Sequence, residues 1–262
     1  MRTVVQLSDL HFGSILQPTL DPLLERLWSL DPDLVIVSGD LTQRARTSEF
    51  TEAQAYLARM PTPRLVVPGN HDIPLYDVFR RFAAPLARYE KFITTDLAPV
   101  HIDDEIAVIG INSARSFTFK GGTLGADDVA VAAAKFDRLE NSPVKIVVAH
   151  HPFHIPPGLS GVTVVNGVQN AMKRFAMSGV DLFLAGHLHL VHQASAELYE
   201  RGFHATILQA GSATSTRARG EPNSFFVFRT DSGGIEVDIH VWSAASKRFE
   251  IAETRSLPRR SP

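Results

Sequence analysis

Short apolar runs recur along the chain, and most of them stop at a glycine or at a polar side chain able to bind a metal. Residues 4–7, 34–37, 65–67, 106–111, 144–149 and 181–185 are almost wholly Val, Ile, Leu, Phe and Ala. Such runs are too short for helices and apolar on both faces, the pattern of strands covered on both sides. Between them, apolar residues recur at helical spacing: Leu20, Leu23, Leu24 and Leu27 within residues 18–30, then Phe50, Ala53 and Leu57 within 48–60. Further helices are predicted over 75–89, broken at Pro85, over 126–139, opened by Asp127 and Asp128, and over 168–178, closed by Gly179. Residues 90–104 read as an irregular connection. Past residue 185 the chain becomes β-rich, with strands predicted at 207–210, 225–228 and 235–242. Trp242 and the aromatic run 225–228 are expected in the core. The alternation predicts an α/β fold, and with no repeat or linker, one domain over residues 1–262.

Composition narrows the chemistry. A chain of 262 residues, 44% hydrophobic and 21% charged, builds a sizeable core. Its net charge of -2 offers no surface for nucleic acid or anionic lipid. The absence of cysteine excludes disulfides, thiolate nucleophiles and sulfur-rich zinc sites, so any metal must be held by His, Asp, Glu or Asn. The first apolar run gives way to Ser8 and Asp9 too soon for a signal peptide, and no run is long enough to span a bilayer. A cytoplasmic protein without stable membrane association is expected. A homodimer is left open.

The metal-type residues cluster at strand ends, where an open α/β sheet binds its ligands. Asp9 and His11 follow the first run, Ser38-Gly39-Asp40 the second, and Pro68-Gly69-Asn70-His71-Asp72 the third. Asn112 and Ser113 follow the fourth, His150 and His151 the fifth with His154 close behind, and Gly186-His187-Leu188-His189 the sixth. Taken singly, Asp9 reads first as a helix cap, His11 as a surface residue and Gly39-Asp40 as a turn. Two histidines at alternate positions after a strand and a glycine are harder to explain as packing. Asp9, His11, Asp40, Asn70, His150, His187 and His189 are too many donors for one ion. With Asp40 bridging they divide into two sites of four, for a metal pair roughly 3.5 to 4 Å apart. A mixed nitrogen and oxygen set suits manganese, iron, zinc or cobalt rather than calcium. Arg44 and Arg46 stand on a loop as phosphate contacts or as solvated charges, residues 213–223, with Arg217 and Arg219, form a polar loop placed to cover the site, and residues 117–122 and 157–167 form glycine-bearing loops.

Asp-x-His, Gly-Asp, Gly-Asn-His-Asp, a strand-end His and Gly-His-x-His, in that order from Asp9 to His189, resemble the calcineurin-like metallophosphoesterase superfamily, and within it the class III cyclic nucleotide phosphodiesterases. The resemblance implies a four-layer α-β-β-α sandwich of two mixed β-sheets. It implies that Asp9, His11, Asp40 and His189 bind one divalent metal, and Asp40, Asn70, His150 and His187 the other. His150 rather than His151 then matches the ligand. His71 becomes a cation or acid near the scissile phosphate, with Asp72 orienting it. The expected reaction is hydrolysis of a small-molecule phosphodiester, 3',5'-cyclic nucleotides foremost, by a metal-bridging hydroxide. Two dications against Asp9, Asp40 and one hydroxide leave about +1, which attracts monoanionic diesters and dianionic monoesters alike. A phosphatase or pyrophosphatase acting on another phosphorylated metabolite or lipid precursor is the alternative. A noncatalytic scaffold should lack several ligands, and this chain lacks none.

Overall fold

The six apolar runs all become strands, and their order of pairing brings the metal-type residues to one end of two sheets. The structure, a computed structural model, describes residues 1–118, 121–139, 143–217, 220–230 and 234–257. Strand β1 (Arg2–Leu7) leads through helix α1 (Leu20–Leu30) to β2 (Leu34–Ser38), and α2 (Thr47–Ala58) leads on to β3 (Arg64–Val67). These three strands are parallel, as helical crossovers require. Two short helices, α3 (Val78–Ala83) and α4 (Ala87–Phe92), precede β4 (Val100–Ile102) and β5 (Ile106–Gly110). Then come α5 (Ala126–Asp137), β6 (Val144–Val148), α6 (Val168–Met177) and β7 (Leu182–Ala185). The chain ends in β8 (His192–Ser195), β9 (Thr206–Gln209), β10 (Ser224–Thr230), β11 (Ile235–Ser243) and β12 (Arg248–Leu257).

One sheet has the order β12-β11-β10-β1-β2-β3 and the other β4-β5-β6-β7-β9-β8. Both are mixed. In the first, β1 pairs in parallel with β2 and antiparallel with β10; in the second, β5, β6, β7 and β9 are parallel while β4 and β8 pair antiparallel at the edges. Three apolar cores separate four layers. Leu23, Leu27, Phe50 and Tyr89 pack helices α1, α2 and α4 on the outer face of the first sheet. Val4, Ile36, Val108, Ile146, Leu184 and Phe226 fill the space between the sheets. Ala133, Phe136, Met172 and Phe175 pack α5 and α6 against the second. This is the expected α-β-β-α sandwich. Trp242 and Phe225–Phe228 are buried within it.

The structure corrects three readings of the pattern. The helical stretch expected over 75–89 starts late, the chain being irregular to Asp77, while the break expected at Pro85 is present: α3 ends at Ala83 because Pro85 excludes helical backbone at Ala84. The connection 90–104 contains the tail of α4 and strand β4. Strands β8 and β12 add to the predicted β tail. Phe119, Lys120 and Arg219, which fall in the loops flagged above, lie outside the described residues.

Candidate metal centre

Five loops, each following the carboxyl end of a strand, converge between the two sheets. Asp9 and His11 follow β1, Asp40 follows β2, Asn70 and His71 follow β3, His150 follows β6, and His187 and His189 follow β7. All seven expected ligands are brought together. Ligand atoms of Asp9, His11, Asp40 and His189 lie within 4.8 Å of one another, as do those of Asp40, His150 and His187, so Asp40 belongs to both groups. Asn70 joins the second: its Oδ1 is 2.9 Å from His187 Nδ1 and 3.2 Å from His150 Nε2. Asp9, His11 and His150 are wholly buried, and His187 is half-buried.

Local backbone makes this convergence possible. Asp9, His11, Asp40, His187 and His189 all have positive φ, between 52° and 76°. Asp and His tolerate that region better than most residues, but each such residue costs on the order of 1 kcal/mol, and five in one site mark a place where geometry outweighs backbone comfort. Two glycines supply the close approach. A Cβ at Gly69 would sit 2.1 Å from Asp40 Oδ1. Gly39, at φ +95°, would place a Cβ 2.5 Å from His150 Nδ1, so only glycine lets the second sheet's histidine lie over the turn after β2.

Carbonyls fix the histidine tautomers. His150 Nδ1 donates to Ser38 O at 2.8 Å, His189 Nδ1 to Arg217 O at 3.0 Å and His11 Nδ1 to Thr42 O at 3.3 Å. Each ring then presents its Nε2 inward, the atom that ligates once it is unprotonated. The Nε2 atoms of His11 and His189 face each other at 3.0 Å, and Asp9 Oδ1, 3.0 Å from His189 Nε2, is buried with no hydrogen-bond partner. Two facing Nε2 atoms around an unpartnered buried carboxylate oxygen call for a shared positive charge, a proton in the metal-free chain or a metal in its place. The donor set therefore fits a divalent metal, on the chemistry of its own atoms.

The charges agree. Burial alone would raise the carboxyl of Asp9, but His189 and His11 hold it well below the usual range; Asp40 is lowered against burial in the same way by His150 and His71. Burial disfavours protonated His150, yet the Asp40 carboxylate 3.3 Å away outweighs it and lifts the ring to about 9. A proton stands there where a metal would. Burial, then the charge of His150, push His187 down to about 3.

The expected roles of the neighbouring residues change in one respect. His71 stands edge-on to His11, ring centroids 4.9 Å apart, beside the cluster. What orients it is Gln43, whose carbonyl accepts from His71 Nδ1 at 2.8 Å. Asp72 faces the other way. Its carboxylate accepts from Gly69 N at 2.9 Å, Thr42 N at 2.9 Å, Thr42 Oγ1 at 3.0 Å and Leu41 N at 3.3 Å, clamping the loops after β2 and β3 together. Burial, then repulsion from Asp40, outweigh the pull of those donors and leave Asp72 raised to about 7. No sequence signal marks Gln43, because a backbone carbonyl does the work. His151 is buried against Ser113, Nδ1 to Oγ 2.8 Å, and His154 pairs instead with His192, Nδ1 to Nε2 3.0 Å. Arg44 lies over the ring of Tyr76 at 5.2 Å and Arg46 is solvated beside Glu49, whereas Arg217 Nη1 reaches His71 Nε2 at 3.1 Å.

Residues 2–191 match the model of the calcineurin-like phosphoesterases. The chain belongs to that family. It is therefore a metal-dependent phosphoester hydrolase. Among its relatives, a protein of Arcobacter nitrofigilis named "probable glycerophosphodiester phosphodiesterase GpdQ" is 25% identical over 215 residues, covering 81% of this chain and 74% of that protein. A "probable cyclic nucleotide phosphodiesterase" of Synechococcus is 23% identical over 202 residues, covering 71% of this chain and 73% of the relative. In fold, the chain resembles a purple acid phosphatase from yellow lupin seeds with a TM-score of 0.75 at 12% identity, over 98% of this chain but 54% of that one. It also resembles a dimetal phosphatase from Danio rerio, TM-score 0.68 at 12% identity, over 98% of both chains. That likeness extends the family's sandwich through the β tail beyond residue 191. No helix among the described residues is long and apolar enough to cross a membrane.

Proposed function

We propose that this calcineurin-like phosphoesterase is a phosphodiesterase acting at two divalent metals within one domain, with 3',5'-cyclic nucleotides as its foremost substrates. The observation that carries the two-metal reading is the position of Asp40, whose carboxylate belongs to both ligand groups. Asp9, His11 and His189 would complete one site with it, and Asn70, His150 and His187 the other. Manganese, iron, zinc and cobalt all suit such donors. Bound there, the metals supply Lewis acidity toward a phosphoryl oxygen and a water acidified for attack.

The chain's own residues do the rest. The carbonyls of Ser38, Thr42 and Arg217 hold three imidazoles in the ligating tautomer. His71, its Nδ1 proton committed to Gln43, offers Nε2 as the atom that takes up a proton from water and gives it to the departing oxygen. Burial of every carboxylate in the site keeps bulk water from competing for its donors.

The names of the Synechococcus relative and of a 29% identical stretch in Ruthia magnifica favour cyclic nucleotides. The Arcobacter relative favours a second reading, glycerophosphodiesters. The deciding experiment loads the purified protein with manganese and follows a 3',5'-cyclic nucleotide, a glycerophosphodiester and a nucleoside monophosphate together by phosphorus NMR. Loss of the cyclic diester with accumulation of monophosphate supports the leading reading. Loss of the glycerophosphodiester alone selects the second. Inorganic phosphate released from the monoester alone overturns both and makes the protein a phosphatase.

A further inference from the structure

Residues 210–217, which follow β9, are tied by hydrogen bonds to the segment 8–16 that follows β1. Ala213 N donates to Ser8 O at 2.9 Å, Ser212 Oγ to Asp9 O at 2.8 Å and Thr214 Oγ1 to Leu10 O at 2.8 Å. Leu16 N donates to Thr214 O at 2.7 Å and Thr216 N to Ser14 O at 2.9 Å. Asn223 closes the loop from behind, its Nδ2 reaching Ser215 O at 2.9 Å. This segment is thereby laced to the loop that carries Asp9 and His11. Arg217 follows immediately, its own N donating to Ser215 Oγ at 3.0 Å.

The backbone and side chain of Arg217 serve different partners. The carbonyl accepts from His189 Nδ1, while the exposed guanidinium donates through Nη1 to His71 Nε2 at 3.1 Å. Among the described residues that guanidinium has no acidic partner, in contrast to Arg115, which pairs with Asp128, and Arg59, which pairs with Asp21. A fixed, unpaired cation beside a site built for dications adds like charge to like. Water solvates the exposed guanidinium until a phosphoryl anion arrives between the two positive groups and is attracted by both. Guanidinium binds phosphoryl oxygens in pairs, with charge assistance that a neutral imidazole nitrogen cannot match.

We propose that Arg217 is a substrate-binding residue: its guanidinium leaves His71 Nε2 for the non-bridging oxygens of the substrate phosphoryl group, holding that group at the site and freeing His71 Nε2 to take a proton from water and pass it to the leaving oxygen. The assignment rests on reading the site as a phosphodiesterase, but it makes a separate demand, since any phosphoryl anion should feel the side chain. Because the bond to His189 comes from the Arg217 carbonyl, substitution of the side chain leaves that bond available.

The test compares wild type, Arg217→Lys and Arg217→Ala, each loaded with manganese and checked for metal content. KM and kcat are measured on the diester that wild type turns over, and inorganic phosphate binding is measured by calorimetry. Loss of a charge-assisted pair predicts that Arg217→Ala raises both KM and the phosphate dissociation constant by about tenfold or more at unchanged metal content. Lysine should recover part of that loss, and free guanidinium added to Arg217→Ala should recover turnover. KM and phosphate affinity within about twofold of wild type would overturn the proposal. Loss of metal from Arg217→Ala would also overturn it, showing that the residue acts on His189 alone. If wild type cleaves no diester, the phosphodiesterase reading fails, and the phosphate titration still decides the role of Arg217.

Discussion

Asp72 Oδ1 accepts two hydrogen bonds from Thr42, one from its backbone N–H at 2.9 Å and one from its hydroxyl at 3.0 Å. With Oδ2 bonded to Gly69 N and Leu41 N, the buried carboxylate joins the loop that carries Asp40 to the loop that carries Asn70. Asp72→Asn would turn an amide N–H2 toward donors on one side. The expected cost is about 2–4 kcal/mol of folding stability, from one or two lost charge-assisted bonds. Denaturant unfolding of the metal-free protein measures it. A variant with wild-type stability and reduced turnover would return Asp72 to the role of orienting His71.

Asn70 and His71 are adjacent, yet they face different duties. Asn70 Oδ1 lies among His150 and His187, whereas the His71 ring stands outside the cluster on Gln43. Asn70→Ala should therefore lower both bound metal and turnover. His71→Ala should lower turnover by about 10²–10⁴, the usual worth of a positioned acid, while retaining metal. Elemental analysis beside kinetics separates the two. Equal metal loss in both variants would abolish the division of labour.

Much of this was legible in the sequence because the site hangs on strands with both faces covered. In β2, β5 and β7 every residue is buried, so each reads as an unbroken apolar run and its polar successor stands out. The strands that went unread, β4, β8 and β12, are all sheet edges. Their residues are largely half-buried or exposed, and a solvated edge imposes no apolar pattern. The helix expected from residue 75 begins only at Val78 for a related reason: Tyr76, Val78, Phe79 and Phe82 are apolar but exposed, so their spacing records no buried face that would fix a boundary. Within the site, ligands could be named from side-chain type, but Gln43 acts through its carbonyl, and Arg217 meets His71 across 146 positions. Neither relation has a local signature.

Metal loading should release protons. In the metal-free protein burial works against protonated His150, but Asp40, with smaller help from Asp9 and the Ser38 carbonyl, raises it to about 9, so near neutral pH the ring is charged. Only the neutral imidazole ligates. Binding near pH 7 thus expels at least one proton, and apparent metal affinity should climb with pH toward about 9. Calorimetric titration of manganese in two buffers of different ionisation enthalpy reads the proton directly. Equal heats in both buffers would mean that His150 is already neutral.

His240 provides a pH dependence remote from the metals. On β11 it is fully buried and stacked on Phe225, ring centroids 4.7 Å apart and planes 13° from parallel, with neither ring nitrogen hydrogen-bonded. Burial first, and then Arg26, hold its pKa down to about 4 against a smaller opposing pull from Asp238. An unfolded histidine titrates near 6.5. Between those values the unfolded chain takes up a proton that the folded one refuses, so stability present above pH 6.5 is lost as pH falls toward 4, by up to about 3 kcal/mol. His240→Phe keeps the stack and removes the titration. Urea unfolding of both proteins across that window should show a slope in wild type that the variant lacks, together with a more stable variant at every pH because two orphaned polar atoms are gone. A slope of equal size in the variant would place the acid-sensitive group elsewhere in the fold.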